Sequence, residues 1–313
     1  MTLAATTPSL KNDLLTGMEW SPARVREFFQ LSADIKARPQ HYERSLAGRA
    51  LTMIFEKPSL RTRVTFEVGI AGLGGTAIFL DHTLSRLGER ESIRDIAKNL
   101  ERWVHGIVAR VFAQEALEEM AENASIPVIN ALSDRFHPCQ ALSDFFTLEE
   151  RFTGLRGLKI AYVGDGNNMC HSLLITGARV GAHLRVAAPA GFEPAPDVVA
   201  EAKAVARQTS AKIEILRSPE EAVAGAQAVY TDVWTSMGYE EEAAARHAAF
   251  EGYQINDELF SQAAPDAVFM HCLPAHRGLE VTDAVMDSPR SIVYDQAENR
   301  LCVQKAVLHT LLT

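Results

Sequence analysis

Short apolar runs alternating with longer amphipathic stretches dominate this sequence, and that alternation restricts the chain to an α/β architecture. In the first half the runs are Ala50–Phe55, Thr76–Leu80, Gly106–Phe112 and Pro127–Ala131. In the second half they are Lys159–Gly164, Leu184–Ala188, Lys212–Leu216, Ala228–Val233, Ala267–Cys272 and Ser291–Tyr294. A helical pattern follows each of the early runs. Each half therefore reads as its own mostly parallel sheet flanked by helices. A chain of 313 residues has room for about two such domains. The segment His137–Phe152 reads as a long helix bridging them, with Gly154 and Gly157 after it. The segment Glu298–Leu311 reads as a C-terminal helix returning to pack on the first domain. The expected division is 1–140, 141–297 and 298–313. The acidic, Ala-rich stretch Tyr239–Ala249 reads as a loop or short helix.

Several function classes drop out on composition. No uninterrupted apolar run reaches the ~18 residues that a membrane span needs. The N-terminal MTLAATTPSLKNDLL lacks the basic start and apolar core of a secretory signal and is poor in Arg, so a cytoplasmic location is expected. A net charge of −9 gives no overall basic footprint for nucleic acid. Cys139, Cys170, Cys272 and Cys302 are scattered without a C-x-x-C pair, which fits reduced thiols. The ten histidines have no metal-ligand spacing, so no metal and no cofactor are expected.

Five stretches carry candidate chemistry. In Phe55-Glu-Lys-Pro-Ser-Leu-Arg-Thr-Arg63, Ser59 is placed to cap a helix whose first amides stay unpaired. Such a terminus with two arginines suits a phosphate, although a plain capped helix with surface arginines has the same sequence. His137-Pro-Cys-Gln140 puts His and Gln on one helical face, where both could bond a carbonyl or amide, or simply cap and pack. Gly164-Asp-Gly-Asn-Asn168 opens like a dinucleotide fingerprint but has Met169 where the last glycine belongs, and no acidic residue ends the next strand. Its two asparagines suit a polar ligand or a tight turn. Asp232-Val-Trp-Thr-Ser-Met-Gly238 follows a strand, where a carboxylate can hold an ammonium group or cap a loop. His271-Cys-Leu-Pro-Ala-His-Arg-Gly278 ends another strand. Adjacent strand residues face opposite ways, so a thiol facing a substrate is the better reading than a Cys–His pair.

Taken in order from Ser59 to Arg300, these stretches resemble the aspartate/ornithine carbamoyltransferase family. The resemblance implies a carbamoyl phosphate domain over 1–140, an amine-substrate domain over 141–297, sites between the domains, and a homotrimer or assembly of trimers. Ser59, Leu60, Arg61 and Thr62 match the phosphate loop, with Leu60 where the family usually has Thr. Arg110 and Arg300 match further phosphate-side arginines, and His137 and Gln140 match the pair that orients the carbamoyl group. Arg86 stands where relatives often have Gln, on a loop reaching a neighbouring subunit, and is a further phosphate candidate. Asn168, Asp232, Ser236 and Met237 match the ornithine positions. Cys272 and Leu273 match a His-Cys-Leu-Pro motif near the reacting amine. The implied catalytic set is Arg61, Arg110, His137, Gln140, Cys272 and Arg300.

Within the family, Asp-x-Trp-x-Ser-Met-Gly implies ornithine rather than aspartate, and so carbamoyl transfer from carbamoyl phosphate to the ornithine side-chain amine in arginine metabolism. A transferase acting on putrescine or an N-modified ornithine is the nearest rival, and a catalytically silent binding homologue is a second. No nucleic-acid or membrane partner is expected.

Overall fold

A computed structural model describes residues 13–235 and 243–313. The chain divides into two compact units, one comprising Met1–Phe146 with Glu298–Thr313 and the other Thr147–Ala297.

The first unit holds a four-stranded parallel sheet in the order β2-β1-β3-β4. Its strands are β1 (Ala50–Phe55), β2 (Thr76–Asp81), β3 (Gly106–Arg110) and β4 (Val128–Leu132). Central β3 is buried throughout, as expected of a parallel strand covered on both faces, whereas edge strand β2 exposes alternate residues. The helices are α1 (Pro22–Ala37), α2 (Leu60–Ala71), α3 (Ile93–Trp103) and α4 (Gln114–Asn123). Ser21, Ser59 and Ser92 cap the first three, each side-chain oxygen accepting an amide of the first turn. Leu100, Ile107, Leu117, Met120 and Val128 belong to one core cluster under α3 and α4.

The second unit holds a five-stranded parallel sheet in the order β7-β6-β5-β8-β9. Its strands are β5 (Lys159–Val163), β6 (His183–Ala187), β7 (Lys212–Leu216), β8 (Ala228–Thr231) and β9 (Val268–His271). The chain passes from one unit to the other within α5 (Pro138–Phe152) and again within α12 (Val293–Leu312). Between them lie α6 (Asn168–Val180), α7 (Pro196–Thr209), α8 (Pro219–Val223), α9 (Ala243–Ala249), α10 (Asp257–Phe260) and α11 (Asp283–Met286). The early part of the Tyr239–Ala249 stretch lies outside the described residues, and its end is α9. Gly181 closes α6 with φ +81°, a left-handed conformation open to glycine at little cost.

One expected strand is absent. Ser291–Tyr294 does not form a tenth strand. Phe269 donates to the Arg290 carbonyl at 2.9 Å, Ile292 donates back to Phe269 at 3.0 Å, and the chain then turns directly into α12 at Val293. A long helical pattern with Asp295 in its first turn takes over the short apolar run. Residues after Glu298 stay with the first unit, where Lys36 of α1 donates to Asn299 at 2.7 Å and Tyr42 meets His309 edge-on at 5.3 Å.

Ile107 is fully buried in β3 between two paired strands. Ile107→Ala is expected to destabilise the first unit by about 2–5 kcal/mol. Urea unfolding of the full chain checks this, and a change under about 0.5 kcal/mol would show that the site is not a packed core position.

Candidate functional site

In the first unit the carboxyl ends of β1 and β3 and the start of α2 converge. Ser59 is extended (φ −159°, ψ 109°) and its hydroxyl accepts the Thr62 amide at 3.3 Å. The Arg61 side chain is half-buried and, among the described residues, has no ionic or hydrogen-bonding partner. Arg63 is spent on the outer face, stacked 3.7 Å over the Phe79 ring and bonded to Glu67 at 2.9 Å. Of the two arginines that the sequence offers to the helix start, Arg61 is therefore the one available to a ligand. Leu60 is 75% exposed, so the residue that replaces a hydroxyl presents only its backbone and an apolar side chain.

Arg110 ends β3 and is buried. The register with β4 shifts between Ala109 and Arg110, a local irregularity where the strand ends. Arg300, on α12, is also buried and donates to the Gln140 side-chain oxygen and, at 3.0 Å, to the Thr62 hydroxyl. Both of these acceptors are neutral. Gln140 in turn donates to Asp144 at 2.7 Å, which settles its amide orientation. His137 is fully enclosed. Burial first, then the charges of Arg300 and Arg110, hold its imidazole well below the usual histidine range. The ring is therefore a neutral hydrogen-bonding group in a positive field.

Two neighbours went unsingled in the sequence although they lie in its first motif. Glu56 is buried and its two oxygens accept the amides of Leu87 at 2.6 Å and Phe112 at 2.7 Å, tying the loop of Arg86 to the end of β3. Lys57 is buried against the Phe112 ring at 4.3 Å. Burial, then Arg110, lowers its ammonium pKa, and Arg86 acts in the same direction, while Asp134 and Glu56 oppose them. Arg86 itself lies over the same ring, 4.5 Å from the Phe112 ring centre. An acid and a lysine directly after an apolar strand were the available signal.

In the second unit Asp232 follows β8 and is buried. One oxygen accepts the Val233 amide at 2.8 Å and the Cys272 thiol at 3.0 Å, and the other accepts the Asn167 amide group at 3.0 Å. All three donors are neutral, and among the described residues no cation reaches this carboxylate. The structure thus brings Cys272 to Asp232, two residues from different strand ends. Asn167 makes the bond, and its oxygen also caps α6 by accepting Met169 and Cys170. Asn168 is the first residue of that helix. Ser236 and Met237 lie outside the described residues. Arg246 of α9 pairs with Asp165 at 2.7 Å and bonds the Trp234 carbonyl at 3.1 Å, fastening the turns after β5 and β8 to one helix.

Asp232, His271 and Cys272 offer donor atoms within 4.8 Å of one another, a grouping that could suggest a metal. The imidazole does not fit that role. Its Nδ1 accepts the Leu273 amide at 2.9 Å, so Nε2 carries the proton toward buried Glu280 at 3.3 Å. No lone pair remains. Leu273 itself holds φ +60°, a left-handed strain of a kind that clusters at ligand sites. Gly166 serves packing: a Cβ there would lie 2.1 Å from the Pro194 nitrogen and 2.3 Å from the Glu193 carbonyl carbon. The glycine turn is backed by chain rather than open to a dinucleotide phosphate.

A parallel-sheet unit with a cationic helix start and a second with a buried carboxylate at its strand ends define a group-transfer enzyme for one phosphorylated and one amine substrate. The family model for the aspartate/ornithine carbamoyltransferase carbamoyl-P binding domain matches residues 12–150, and that for the Asp/Orn binding domain matches 156–311. The chain belongs to the aspartate/ornithine carbamoyltransferase family. It is 49% identical over 304 residues to an ornithine carbamoyltransferase of Thermus thermophilus, covering 97% of this chain and 98% of that one. It is 48% identical over 314 residues to one from Anoxybacillus flavithermus, covering both chains fully. The solved ornithine carbamoyltransferase of Pyrococcus furiosus superposes with a TM-score of 0.93 at 46% identity, covering 97% of this chain and 98% of that one.

The His137 assignment has a sign. An unfolded histidine titrates near pH 6.5, above the folded value, so between the two the unfolded chain holds the extra proton. Stability is lost as pH falls through that window. By NMR the His137 ring is expected to stay neutral at about pH 6, where exposed histidines are mostly protonated. Titration of His137 together with the exposed rings would overturn the positive field.

Proposed function

We propose that this chain transfers the carbamoyl group of carbamoyl phosphate to the Nδ of L-ornithine, releasing L-citrulline and phosphate. The observation that carries the amine half is the Asp232 carboxylate, buried among neutral donors. A carboxylate withdrawn from water calls for a cation, and an α-ammonium supplies one. Relatives of nearly half-identical sequence that bear the ornithine carbamoyltransferase name support the same reading. Putrescine has no α-ammonium, and N-acylation removes it.

On this reading the phosphate sits on the amides of Leu60 and Arg61 with the hydroxyls of Ser59 and Thr62, and against Arg61, Arg110 and Arg300. Arg86 adds charge at its edge. Neutralising the phosphate makes it a better leaving group. Neutral His137 and Arg110 polarise the carbamoyl oxygen, and Gln140, held by Asp144 and Arg300, orients the carbamoyl amide. The incoming amine must be neutral, yet a free alkylammonium has a pKa of about 10.4. A desolvated, cationic surrounding lowers it, in the direction already seen at Lys57. The Nδ lone pair then bonds to the carbamoyl carbon, the C–O bond to phosphate breaks, and the amine proton leaves to water or phosphate. Cys272 and Leu273 flank the amine, while Asn168, Ser236 and Met237 hold the amino-acid head.

The assembly we propose is a homotrimer, supported by an apolar stripe of Leu60, Val64 and Val68 on one side of α2 with Ile78 nearby in sequence on edge strand β2, all 46% or more exposed. A cytoplasmic location is supported by four free thiols. No helix among the described residues is long and apolar enough to cross a membrane.

Arg61→Gly is expected to lower turnover by at least about a hundredfold. Near-normal citrulline formation in a colorimetric assay would remove the phosphate-loop assignment. Asp232→Ala is expected to raise the ornithine KM by about tenfold or more while leaving carbamoyl phosphate saturation unchanged. An amine panel of ornithine, putrescine, N-acetylornithine and aspartate should give product with ornithine alone, and equal turnover of putrescine would overturn the role of Asp232.

A further inference from the structure

The opposite end of the second unit's sheet has chemistry that carbamoyl transfer does not use. Lys159, His183 and Lys212 are the first residues of β5, β6 and β7, and the parallel register pairs Lys159 with His183 and His183 with Lys212. Registered residues of adjacent parallel strands project to the same face, so the three form one row. They line a cavity of about 290 Å³, closed by Ala222 and Ala226 at the end of α8. Two residues along, Arg185 bonds Glu214 at 3.2 Å and donates to the carbonyls of Glu221 and Ala224, so the acidic residue on this wall is already paired. The ammonium groups of Lys159 and Lys212 have no partner among the described residues. The His183 ring is part-buried, with Nδ1 withdrawn from solvent beside the Ala182 backbone.

We propose that this cavity is a binding site for a small multivalent anion of the phosphate class, held by Lys159, His183 and Lys212. Two ammonium groups flank the anion and the imidazole, once protonated, adds a third N–H donor. The volume lies at the lower end of the range for small-molecule pockets, about 300–1,000 Å³, which fits phosphate or pyrophosphate rather than a dinucleotide. Burial, then Lys212 and Lys159, lower the His183 pKa, while the Ala182 backbone and Glu214 raise it. A bound anion offsets the lysines, so binding draws a proton onto the ring.

The test titrates inorganic pyrophosphate into the full chain while following the His183 ring resonances by NMR, identified by their loss in His183→Gln. A saturable shift and an upward move of the ring's titration midpoint are expected. The double variant Lys159→Ala/Lys212→Ala should weaken the response by at least about tenfold with turnover unchanged, and Lys159→Arg/Lys212→Arg should retain it. Arg61→Gly should leave the His183 response intact, which separates this cavity from the phosphate loop. Absence of a saturable shift, an unchanged response in the double alanine variant, or its loss in Arg61→Gly would each overturn the site.

Discussion

The Asp232 carboxylate sets the terms for the second unit. It is buried, and its donors are an amide, a thiol and a carboxamide. Neutral donors satisfy hydrogen bonding without neutralising charge, so a desolvation cost remains until a cation arrives. The surrounding structure is arranged to sustain that cost. Asn167 divides its side chain between the α6 cap and the carboxylate, and Tyr162 supports Asn167 from below at 3.4 Å. Burial, then the charge of Asp232, pushes the Tyr162 hydroxyl far above its ordinary range and keeps it a donor. Removing Asn167 would therefore loosen a helix start and an anion at once.

The first unit has the opposite sign. Arg110 and Arg300 are both buried, and their charges both lower the pKa of His137. Lys57 feels Arg110 and Arg86 in the same way. Concentrating cations costs folding energy, and the fold offsets it locally with Glu56, Asp134 and the Phe112 ring. Glu56 does two jobs with one carboxylate: its charge opposes the cations, and its oxygens hold the amides of Leu87 and Phe112. Parallel strands end together, and this common edge brings residues distant in sequence to one place.

Much of this was legible in the sequence, and the reasons are local. Buried parallel strands read as short apolar runs, and nine of them stand where the runs predict. Ser59 and its helix follow from side-chain capping chemistry. The Ser291–Tyr294 run misled because two ladder bonds beside β9 resemble a strand start, and only the long pattern after Val293 decides for helix. Long-range pairing was not legible. Nothing in sequence spacing places Arg300 on Thr62 and Gln140, or Cys272 on Asp232, because the first contacts are set by how α12 meets α2 and α5 and the second by how the ends of β8 and β9 align. The structural part of Asn167 was not legible either: two adjacent asparagines offer the same group, and only the fold shows that the first caps α6 and bonds Asp232.

The two ends of the second sheet can carry opposite charge without interfering. Ile160 pairs with Ala228, so Lys159 is level with Gln227 and Asp232 lies five residues further along, ~16 Å away at ~3.3 Å per residue. Unit charges at that separation interact by about 1 kcal/mol at an effective dielectric of ~20, before salt acts. The distance is about twice the Debye length of ~8 Å at physiological ionic strength, so most of that interaction is screened for exposed groups such as Lys159 and Lys212. A bound anion at the amino ends therefore leaves the field at Asp232 nearly unchanged. Any influence of one end on the other would have to travel through strand displacement rather than through charge, and β5, buried after its first residue and paired on both sides, resists that displacement.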